Sequence, residues 1–219
     1  MCGRFALYSS FAAIKEYADI LFELGKLDPN YNIAPGQIIP TIVKNKDGNL
    51  LEPARWGLVP FWAKDPQIGY KMINARAETV AEKPSYRAAF KYRRCLIPAN
   101  GFYEWRKPDK QPFFVHLKDR ELFTFAGIWE DWSSDDGSQI RTCSIITTEP
   151  NEIMGQIHNR MPVILSRQKE MDWLSNNNKN ELLALLQPYD SEEMSMYEIS
   201  KAVNSPKNNG QELLKRKLG

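Results

Sequence analysis

The sequence has few of the residues from which metal sites and disulfide frameworks are built. It contains three cysteines, at positions 2, 95 and 143, and two histidines, at positions 116 and 158. No two cysteines form a Cys-x-x-Cys spacing, and an odd number cannot pair completely, so neither a disulfide framework nor a zinc site is predicted. We expect no metal, free thiols and a reducing, cytoplasmic environment.

Long apolar runs and the short motifs of several large enzyme classes are also missing. No run approaches the ~20 apolar residues that span a bilayer, and no signal-peptide pattern precedes Cys2. There is no Gly-rich phosphate loop, no Gly-x-Ser-x-Gly elbow and no His-Glu-x-x-His pair. We therefore expect no membrane partner and no cofactor, and hydride, phosphoryl and zinc chemistry are disfavoured.

The chain has almost no excess of charge of either sign. Its 29 Lys and Arg residues and 27 Asp and Glu residues give 29 − 27 = +2. Any nucleic-acid surface must therefore be a local basic patch. A length of 219 residues with 42% hydrophobic content fits one globular domain with a full core. We expect a single domain over residues 1–219, with a frayed tail from about residue 211.

The first five residues, Met1-Cys2-Gly3-Arg4-Phe5, place a thiol next to the initiator methionine. If Met1 is removed, as is usual before a small second residue, Cys2 carries a free α-amine beside its thiol. The two groups titrate near ~8 and ~8.5, so both are available as nucleophiles at neutral pH. An aldehyde can form an imine with this amine, which sulfur closes to a thiazolidine. In an arbitrary chain, an ordinary second residue is the commoner interpretation.

Short β-branched runs between turn residues predict an α+β fold. We expect a helix that Ser10 caps and Gly25 ends, followed by strands at residues 38–43 and 50–58. Further strands are predicted at residues 95–99, 113–117, 122–129, 141–148 and 196–199. Short helices are predicted at residues 150–157 and 181–187, and another after Ser166.

Two tryptophans flank a Pro- and Gly-containing segment after the second predicted strand. This segment runs from Trp56 to Trp62, and its Pro and Gly residues interrupt strand pairing and leave both rings near a loop. Exposed rings at this place would suit stacking on nucleic-acid bases. Rings packed inward would be ordinary core residues, and the sequence alone leaves both interpretations open.

Two further segments combine polar residues with a definite pattern. The first is Asn74-Ala75-Arg76-Ala77-Glu78-Thr79, which we expect to begin a helical region that reaches residue 90. If the segment is extended instead, its asparagine, arginine and glutamate share one side, and the alanines lie on the other. The second is the basic run at residues 91–94, which could hold phosphate, although a solvated face is commoner.

Glu104 and His158 are the candidates for proton transfer. Glu104 lies among three aromatic residues, where partial burial would raise the carboxyl pKa, although an exposed strand glutamate fits equally well. His158 lies at a helix-to-strand junction, where functional groups are common. His116 lies within an apolar alternating strand and is predicted to be structural.

Taken together, these motifs resemble the SOS response-associated peptidase (SRAP) family, which includes the abasic-site processing proteins. The motifs are Met1-Cys2-Gly3-Arg4-Phe5, Asn74-Ala75-Arg76-Ala77-Glu78, Pro98-Ala99-Asn100-Gly101-Phe102-Tyr103-Glu104-Trp105 and Ile157-His158-Asn159-Arg160-Met161-Pro162. They follow in order between residue 2 and about residue 210, and four spaced motifs argue against a chance match.

The resemblance implies a single α+β domain with a curved, barrel-like, mainly antiparallel β core, flanking helices and a positively charged groove for single-stranded DNA. It also implies that the protein removes its own initiator methionine. The exposed cysteine then captures the ring-opened aldehyde of an abasic site as a thiazolidine DNA–protein crosslink, in DNA repair and the SOS response. The implied partners are abasic single-stranded DNA and the replication machinery, for a monomer associated with the nucleoid of a bacterium.

The resemblance implies a role for four catalytic residues. Cys2 is the nucleophile, and Asn74 positions the thiazolidine or the sugar oxygen. Glu104 transfers protons, and His158 assists ring opening and imine chemistry. Both ring opening and the loss of water from a carbinolamine need a proton donor and a proton acceptor near one carbon, which two titratable groups can share.

Five further residues match DNA-contacting positions of the family. Arg4 and Arg76 match positions that contact phosphate. Pro35 and Trp62 match a wedge beside the flipped-out site, and Thr147 matches a polar wall residue. Phosphate contacts of this kind are independent of sequence and sensitive to salt.

Two other classes of function fit the same residues. A thiol hydrolase or peptidase could act on other proteins through Cys2, Glu104 and His158, and it would cleave unrelated peptides without forming an adduct with abasic DNA. A non-covalent reader of modified or single-stranded DNA would keep its affinity when Cys2 is replaced by alanine.

Overall fold

The structure is a computed structural model that describes residues 2–21 and 27–217. The strands in these ranges are β1 (Phe5–Leu7), β2 (Asn30–Ile33), β3 (Ile38–Lys44), β4 (Asn49–Trp56), β5 (Asn74–Arg76), β6 (Arg94–Ala99), β7 (Gly101–Trp105), β8 (Pro112–Leu117), β9 (Phe123–Ser133), β10 (Gln139–Thr148), β11 (Met161–Pro162), β12 (Ile164–Leu165) and β13 (Met194–Glu198). The α-helices are α1 (Phe11–Ala18), α2 (Arg87–Tyr92), α3 (Glu152–Gly155), α4 (Arg167–Ser175) and α5 (Lys179–Ala184). Turns of 3-10 helix cover Pro66–Lys71, Ser191–Glu193, Lys201–Asn204 and Gln211–Leu214.

Five strands close into a barrel at the centre of the fold. They pair in the order β4, β3, β6, β9 and β10, and β10 pairs back onto β4. The β10–β4 pairing is parallel and the other four are antiparallel. Closure of this kind removes the free edges of a sheet. The barrel, the extra strands and the few helices confirm the predicted fold class.

A second sheet carries the N-terminal strand into the interior of the fold. Its strands follow the order β13, β8, β7, β1 and β2, so β1 lies between two strands that come later in the chain. Phe5 pairs with Phe102 of β7, and the backbone amide of Tyr103 donates to the Arg4 carbonyl oxygen at 2.9 Å. The residues before Phe5 therefore run along the half of β7 that contains Glu104.

Aromatic rings join this sheet to the barrel. The Phe5 ring meets the rings of Trp56 and Phe125 edge-on, with centroids 5.2 and 5.9 Å apart. Trp56 is fully buried, and its indole N–H donates to the Ile73 carbonyl oxygen at 2.9 Å. Of the two tryptophans that the sequence left undecided, Trp56 is thus a core residue.

The first helix is shorter than predicted. Ser10 caps α1 as expected, because its hydroxyl accepts from the Ala13 amide at 3.2 Å. The helix ends at Ala18, and the next residue, Asp19, has a left-handed φ of 50° that turns the chain away. Gly25, the predicted end, lies outside the described residues. Leu21 follows the turn and is exposed.

The C-terminal segment packs onto the second sheet as far as the structure describes it. Leu213 is buried, and the Tyr197 hydroxyl donates to the Leu214 carbonyl oxygen at 2.8 Å. The backbone amide of Lys217 donates to the Glu198 carbonyl oxygen at 2.8 Å. We expected a frayed tail from about residue 211, but the apolar Leu213 holds this segment in place.

Two structural absences hold for residues 2–21 and 27–217. No helix in these ranges is both long and apolar enough to cross a membrane. No three side chains among their His, Cys, Asp and Glu residues come together in a way that could hold a metal ion.

Candidate active site

Cys2 lies buried where the N-terminal segment passes β5 and β7. Its exposed fraction is 0%, and its Sγ lies 3.9 Å from the Arg4 carbonyl oxygen, to which the thiol donates weakly. The Cys2 carbonyl oxygen accepts from the Asn74 side-chain amide at 2.8 Å. The structure therefore brings together two residues that the sequence separates by 72 positions.

The Asn74 amide is oriented by this contact. A carbonyl oxygen only accepts, so Nδ2 of Asn74 must face Cys2 and Oδ1 must face the other way. That oxygen is buried and has no hydrogen-bond partner among the residues described. A buried polar atom left without a partner costs about 1–3 kcal/mol, so Oδ1 is a ready acceptor for an amine or a hydroxyl group.

Glu104 is buried in β7, with an exposed fraction of 3%. The alternative of an exposed strand glutamate is therefore wrong. Burial raises the pKa of the Cys2 thiol far above its usual range, and the negative charge of Glu104 raises it further. The thiol is thus protonated at neutral pH, and it needs a proton acceptor before sulfur can attack.

The charge of Glu104 also acts on His158. Burial lowers the pKa of His158, while the charge of Glu104 acts in the opposite direction. The backbone amide of Arg160 donates to Nδ1 of His158 at 3.0 Å. The Arg160 carbonyl oxygen also lies 3.3 Å from Nδ1, so both backbone groups of Arg160 meet this nitrogen. The Arg160 backbone therefore holds the ring through Nδ1.

The segment that carries Asn74 is extended and not helical. Strand β5 runs parallel to β10, with Asn74 opposite Ile145, and α2 begins only at Arg87. The expected helical region from residue 74 is therefore wrong over its first part. The alternation predicted for an extended chain is present instead, because Ala75 and Ala77 are buried while Arg76 and Glu78 are exposed.

Arg160 is a structural link that the sequence analysis did not identify. Its guanidinium binds both carboxylate oxygens of Glu78 and donates to the Thr147 carbonyl oxygen at 2.5 Å. The hydrogen bond to Arg160 is the main cause that lowers the pKa of Glu78. Glu78 and Arg160 are 82 positions apart, so only the pairing of β5 with β10 could have indicated this contact.

Trp62 lies on an exposed aromatic loop, which we define as residues 57–73. Its exposed fraction is 51%. Phe61, the preceding residue, and Tyr70, later in the same loop, are also exposed. Trp62 and Tyr70 line the same cavity of about 550 Å³. Trp62 is therefore the tryptophan that is available for stacking, and the sequence analysis did not single out Phe61 or Tyr70.

Pro35 lies beside this loop. The next residue, Gly36, has a φ of 87°, and a Cβ atom there would lie 3.0 Å from Cε1 of Tyr70. The turn thus needs glycine for its backbone conformation and for the close approach of the Tyr70 ring. The structure places the Pro35 turn next to the aromatic loop, while the wedge role of Pro35 and Trp62 stays a prediction.

The other predicted DNA contacts differ in accessibility. Arg4 is half-buried, and its Nη1 donates to Asn32 Oδ1 and to the Val203 carbonyl oxygen, both at 2.7 Å. Thr147 is fully buried beneath Arg160. Arg76 is exposed and forms no salt bridge within the described ranges. Arg76 is thus the most accessible of the three predicted contacts.

Two arginines of the basic run at residues 91–94 stabilise the scaffold. Arg94 is buried and donates to the carbonyl oxygens of Trp173 and Asn176, each at 2.6 Å. Arg93 forms a salt bridge of 2.5 Å with Glu130. Neither guanidinium is free for phosphate, whereas Lys91 and Tyr92 of the same run are exposed.

These features define a class of protein with a β-barrel and with a buried thiol next to the first residue, a side-chain amide bound to the same cysteine, and a carboxyl group whose charge acts on both the thiol and an imidazole. The chain matches the family described as SOS response associated peptidase (SRAP) over residues 1–206, and it belongs to that family.

Named relatives agree with this assignment. The chain is 52% identical to the abasic site processing protein YoaM of Bacillus subtilis (strain 168), over 98% of this chain and 97% of that protein. It is 32% identical to the abasic site processing protein HMCES of Rattus norvegicus, over 98% of this chain and 75% of that protein. A crystal structure of a protein from Bacteroides thetaiotaomicron superposes with a TM-score of 0.90 at 30% identity, covering 99% of this chain and 100% of that chain.

Proposed function

We propose that this chain captures abasic sites in single-stranded DNA as a thiazolidine on Cys2, after removal of Met1. The observation that carries the proposal is the environment of Cys2. Its thiol is buried and feels the negative charge of Glu104, and its backbone carbonyl oxygen accepts from the Asn74 side-chain amide. The names of the relatives, abasic site processing proteins, support the choice of substrate.

The first step creates the amine. The nitrogen of Cys2 is bonded to the Met1 carbonyl carbon, so hydrolysis of this peptide bond consumes one water molecule and releases methionine. We assign proton acceptance to Glu104, whose charge acts on Cys2, and the same carboxyl returns the proton to the leaving nitrogen. The product has a 1,2-aminothiol at its N-terminus.

The second step opens the abasic sugar. The closed form must transfer a proton from its C1′ hydroxyl group to the ring oxygen to give the aldehyde. We assign donation to the ring oxygen to Nε2 of His158, because Nδ1 is in contact with the Arg160 backbone. Glu104 accepts the hydroxyl proton, so the two groups divide the donor and acceptor roles.

The third step forms two bonds to the aldehyde carbon. The Cys2 amine adds to give a carbinolamine, which loses water to become an imine. Sulfur then attacks the imine carbon, and the thiol proton passes to nitrogen, so one water molecule is released and no oxidant is needed. Because both nucleophiles belong to one residue, the ring closure is intramolecular.

Binding of DNA is assigned to the exposed residues near this pocket. Trp62 and the rest of the aromatic loop offer faces on which unstacked bases can stack. Arg76 is placed to contact phosphate, and an abasic nucleotide needs little energy to leave the stack. These contacts do not read base identity, which suits a lesion that lacks a base.

The test uses a single-stranded oligonucleotide with one abasic site. Wild-type protein should give an adduct that survives denaturing electrophoresis. The matched control is the same oligonucleotide after reduction of its aldehyde to an alcohol, which should bind without forming an adduct. Equal adduct from the reduced oligonucleotide would contradict the thiazolidine.

The two other function classes give different results in the same experiment. A peptidase acting on other proteins would cleave unrelated peptides repeatedly and form no adduct. A non-covalent reader would bind both oligonucleotides equally and leave no species on the denaturing gel. Either outcome would replace the proposed function.

A further inference from the structure

An apolar groove lies between α2 and α5, and none of the residues proposed for DNA capture lines it. Its volume is about 490 Å³. Phe90 and Leu182 line it while remaining only 3% and 2% exposed, so they form a closed apolar floor. Ala81 and Ala88 add small side chains to the walls. Such a concave, apolar surface fits a bulky apolar side chain.

Three cations surround this groove. Arg87, Lys91 and Lys179 line it and are exposed, and its lining contains no acidic residue. None of the three forms a salt bridge within residues 2–21 and 27–217. The Lys91 ammonium lies 4.8 Å from the centre of the exposed Tyr92 ring, which also lines the groove. The charged residues that line the groove are thus all positive and surround an apolar centre, in a chain whose net charge is only +2.

We propose that this groove binds a short acidic segment of a partner protein, anchored by one bulky apolar side chain. The apolar side chain fills the groove, and carboxylates of the same segment meet the three cations. Apolar anchors supply most of the energy in such interfaces, while complementary charge steers association and selects the partner.

The groove suits a peptide better than single-stranded DNA. Nucleic acid is held by flat aromatic faces on which successive bases stack, along a basic track. Here the one exposed ring, Tyr92, is covered by Lys91, and the other ring, Phe90, is buried. The apolar floor offers depth for a side chain but no platform for a row of bases.

The groove is joined to the candidate active site through the start of α2. Tyr86, which directly precedes α2, is buried, and its hydroxyl donates to the Asn74 backbone carbonyl oxygen at 3.3 Å. A partner bound to α2 is thus held next to the segment that carries Asn74. Binding in the groove does not require Cys2, so it can be tested separately from the proposed chemistry.

The experiment selects peptides from a random ten-residue display library on the full chain. We expect enriched peptides to share several Asp or Glu residues around one bulky apolar residue. A synthetic, fluorescein-labelled peptide with that consensus should then bind the wild-type protein, as measured by fluorescence anisotropy. Failure to enrich any peptide, or a neutral or basic consensus, would overturn the proposal.

Two kinds of variant locate the binding. Combined Arg87→Glu, Lys91→Glu and Lys179→Glu should weaken the peptide by about tenfold or more, because attraction becomes repulsion. A matched control, Lys118→Glu with Lys207→Glu and Lys215→Glu, changes the net charge equally on exposed residues elsewhere and should bind as the wild type does. Ala88→Trp should also block binding, because it fills the groove and leaves the cations in place.

Fold controls and two further results test whether the peptide binds in this groove. Thermal unfolding of each variant checks that the fold is intact, and Ala88→Trp and the charge-reversed variant should unfold within a few degrees of wild type. Equal affinity of the charge-reversed and control proteins would contradict the assignment. So would loss of labelled ten-residue oligothymidine binding in the charge-reversed protein alone, which would make the groove a nucleic-acid site.

Discussion

The three cysteines are equally buried, yet only one has the neighbours of a reactive group. Burial raises the pKa of the thiols of Cys2, Cys95 and Cys143 alike. Cys143 lies in the barrel strand β10, where burial is the only cause of its shift. Cys2 adds the charge of Glu104 and the amide of Asn74. Burial therefore does not distinguish the thiol that we propose as the nucleophile, whereas its polar neighbours do.

The same contrast extends to other residue types. Glu170 is as buried as Glu104, but it accepts from Tyr17, Thr124 and Arg167 at 2.5 to 2.8 Å, which holds α1 and α4 to the barrel. Four of the residues proposed for function, Cys2, Glu104, His158 and Trp62, have a counterpart of the same type in the scaffold. The pairs provide matched controls, and the effects below are ordered from the largest to the smallest.

The largest effect is expected from the cysteines. Cys2→Ala should abolish the adduct with abasic DNA, because it removes the only sulfur beside the N-terminal amine. Cys143→Ala should form adduct at close to the wild-type rate while losing about 1 kcal/mol of unfolding free energy through a small cavity. Denaturing gels and urea unfolding measure the two quantities. Adduct from Cys2→Ala at the wild-type rate would remove the distinction between the thiols.

The second largest effect on the rate of adduct formation is expected from the glutamates. Glu104→Gln keeps the shape but removes the proton acceptor, so adduct formation should slow by about a hundredfold. Glu170→Gln should leave that rate unchanged and lower the unfolding free energy by about 1–3 kcal/mol, because a buried hydrogen-bond network is disturbed.

The glutamate comparison needs one precaution. A variant that fails to remove Met1 would lack the amine for a trivial reason. Both variants should therefore be released from a cleavable leader that makes Cys2 the first residue, and initial rates should be compared on those proteins. Equal rates for Glu104→Gln and wild type would show that proton transfer lies elsewhere.

A smaller effect is expected from the histidines. His158→Gln should slow adduct formation by about tenfold, since an amide can still donate a hydrogen bond but cannot exchange a proton. His116→Gln should have no effect on the rate, because His116 packs against the rings of Phe114 and Tyr197 in the second sheet. Initial rates of adduct formation on the abasic oligonucleotide, set beside the affinity for the reduced oligonucleotide, separate chemistry from binding. A slower rate for His116→Gln would contradict the assignment of His116 as a structural residue.

The tryptophans should separate DNA binding from stability. Trp62→Ala should weaken binding to single-stranded DNA by about tenfold through lost stacking and leave the unfolding free energy unchanged. Trp56→Ala should instead cost about 3–5 kcal/mol of unfolding free energy, because its buried ring leaves a cavity. Fluorescence anisotropy and urea unfolding measure these effects. Unchanged DNA affinity in Trp62→Ala would remove the stacking role.

The smallest effect concerns pH. The pKa of His158 is lower in the folded protein than the unfolded value near ~6.5. Its contribution to stability is therefore complete above that value and is lost as the pH falls through the folded pKa, because the unfolded chain binds the proton more readily. The stability of His158→Gln should fall less than that of wild type between about pH 7.5 and pH 5. Parallel curves would contradict the lowered pKa.

The barrel could largely be predicted from the sequence, because most of its strands are apolar, β-branched runs between turns. The predicted strands at residues 95–99 and 141–148 lie within β6 and β10. Two short strands could not be predicted well. Strand β1 has three residues and is held by partners far along the chain, and β5 contains Ala75 and is followed by Ala77, both of which favour a helix. Pairing with β10 overrides that preference.

The site could be predicted only where chemistry depends on position in the sequence. Cys2 is a candidate because of its place next to Met1, and Trp62 because of its place near a loop break, and the roles of both stay predictions. The burial of Glu104 and the contact between Arg160 and Glu78 depend on packing between distant segments, which local patterns do not encode. The basic run at residues 91–94 was considered for phosphate binding for the same reason. The structure shows that the Arg94 guanidinium donates to backbone carbonyl oxygens instead.

The most direct measurement is the intact mass of the purified chain before and after incubation with an abasic single-stranded oligonucleotide. Before incubation, we predict the mass of the sequence without Met1. Afterwards, we predict a species that equals protein plus oligonucleotide minus one water molecule, absent for Cys2→Ala. A chain that retains Met1 and still forms that species, or an adduct that retains the water, would contradict thiazolidine formation at Cys2.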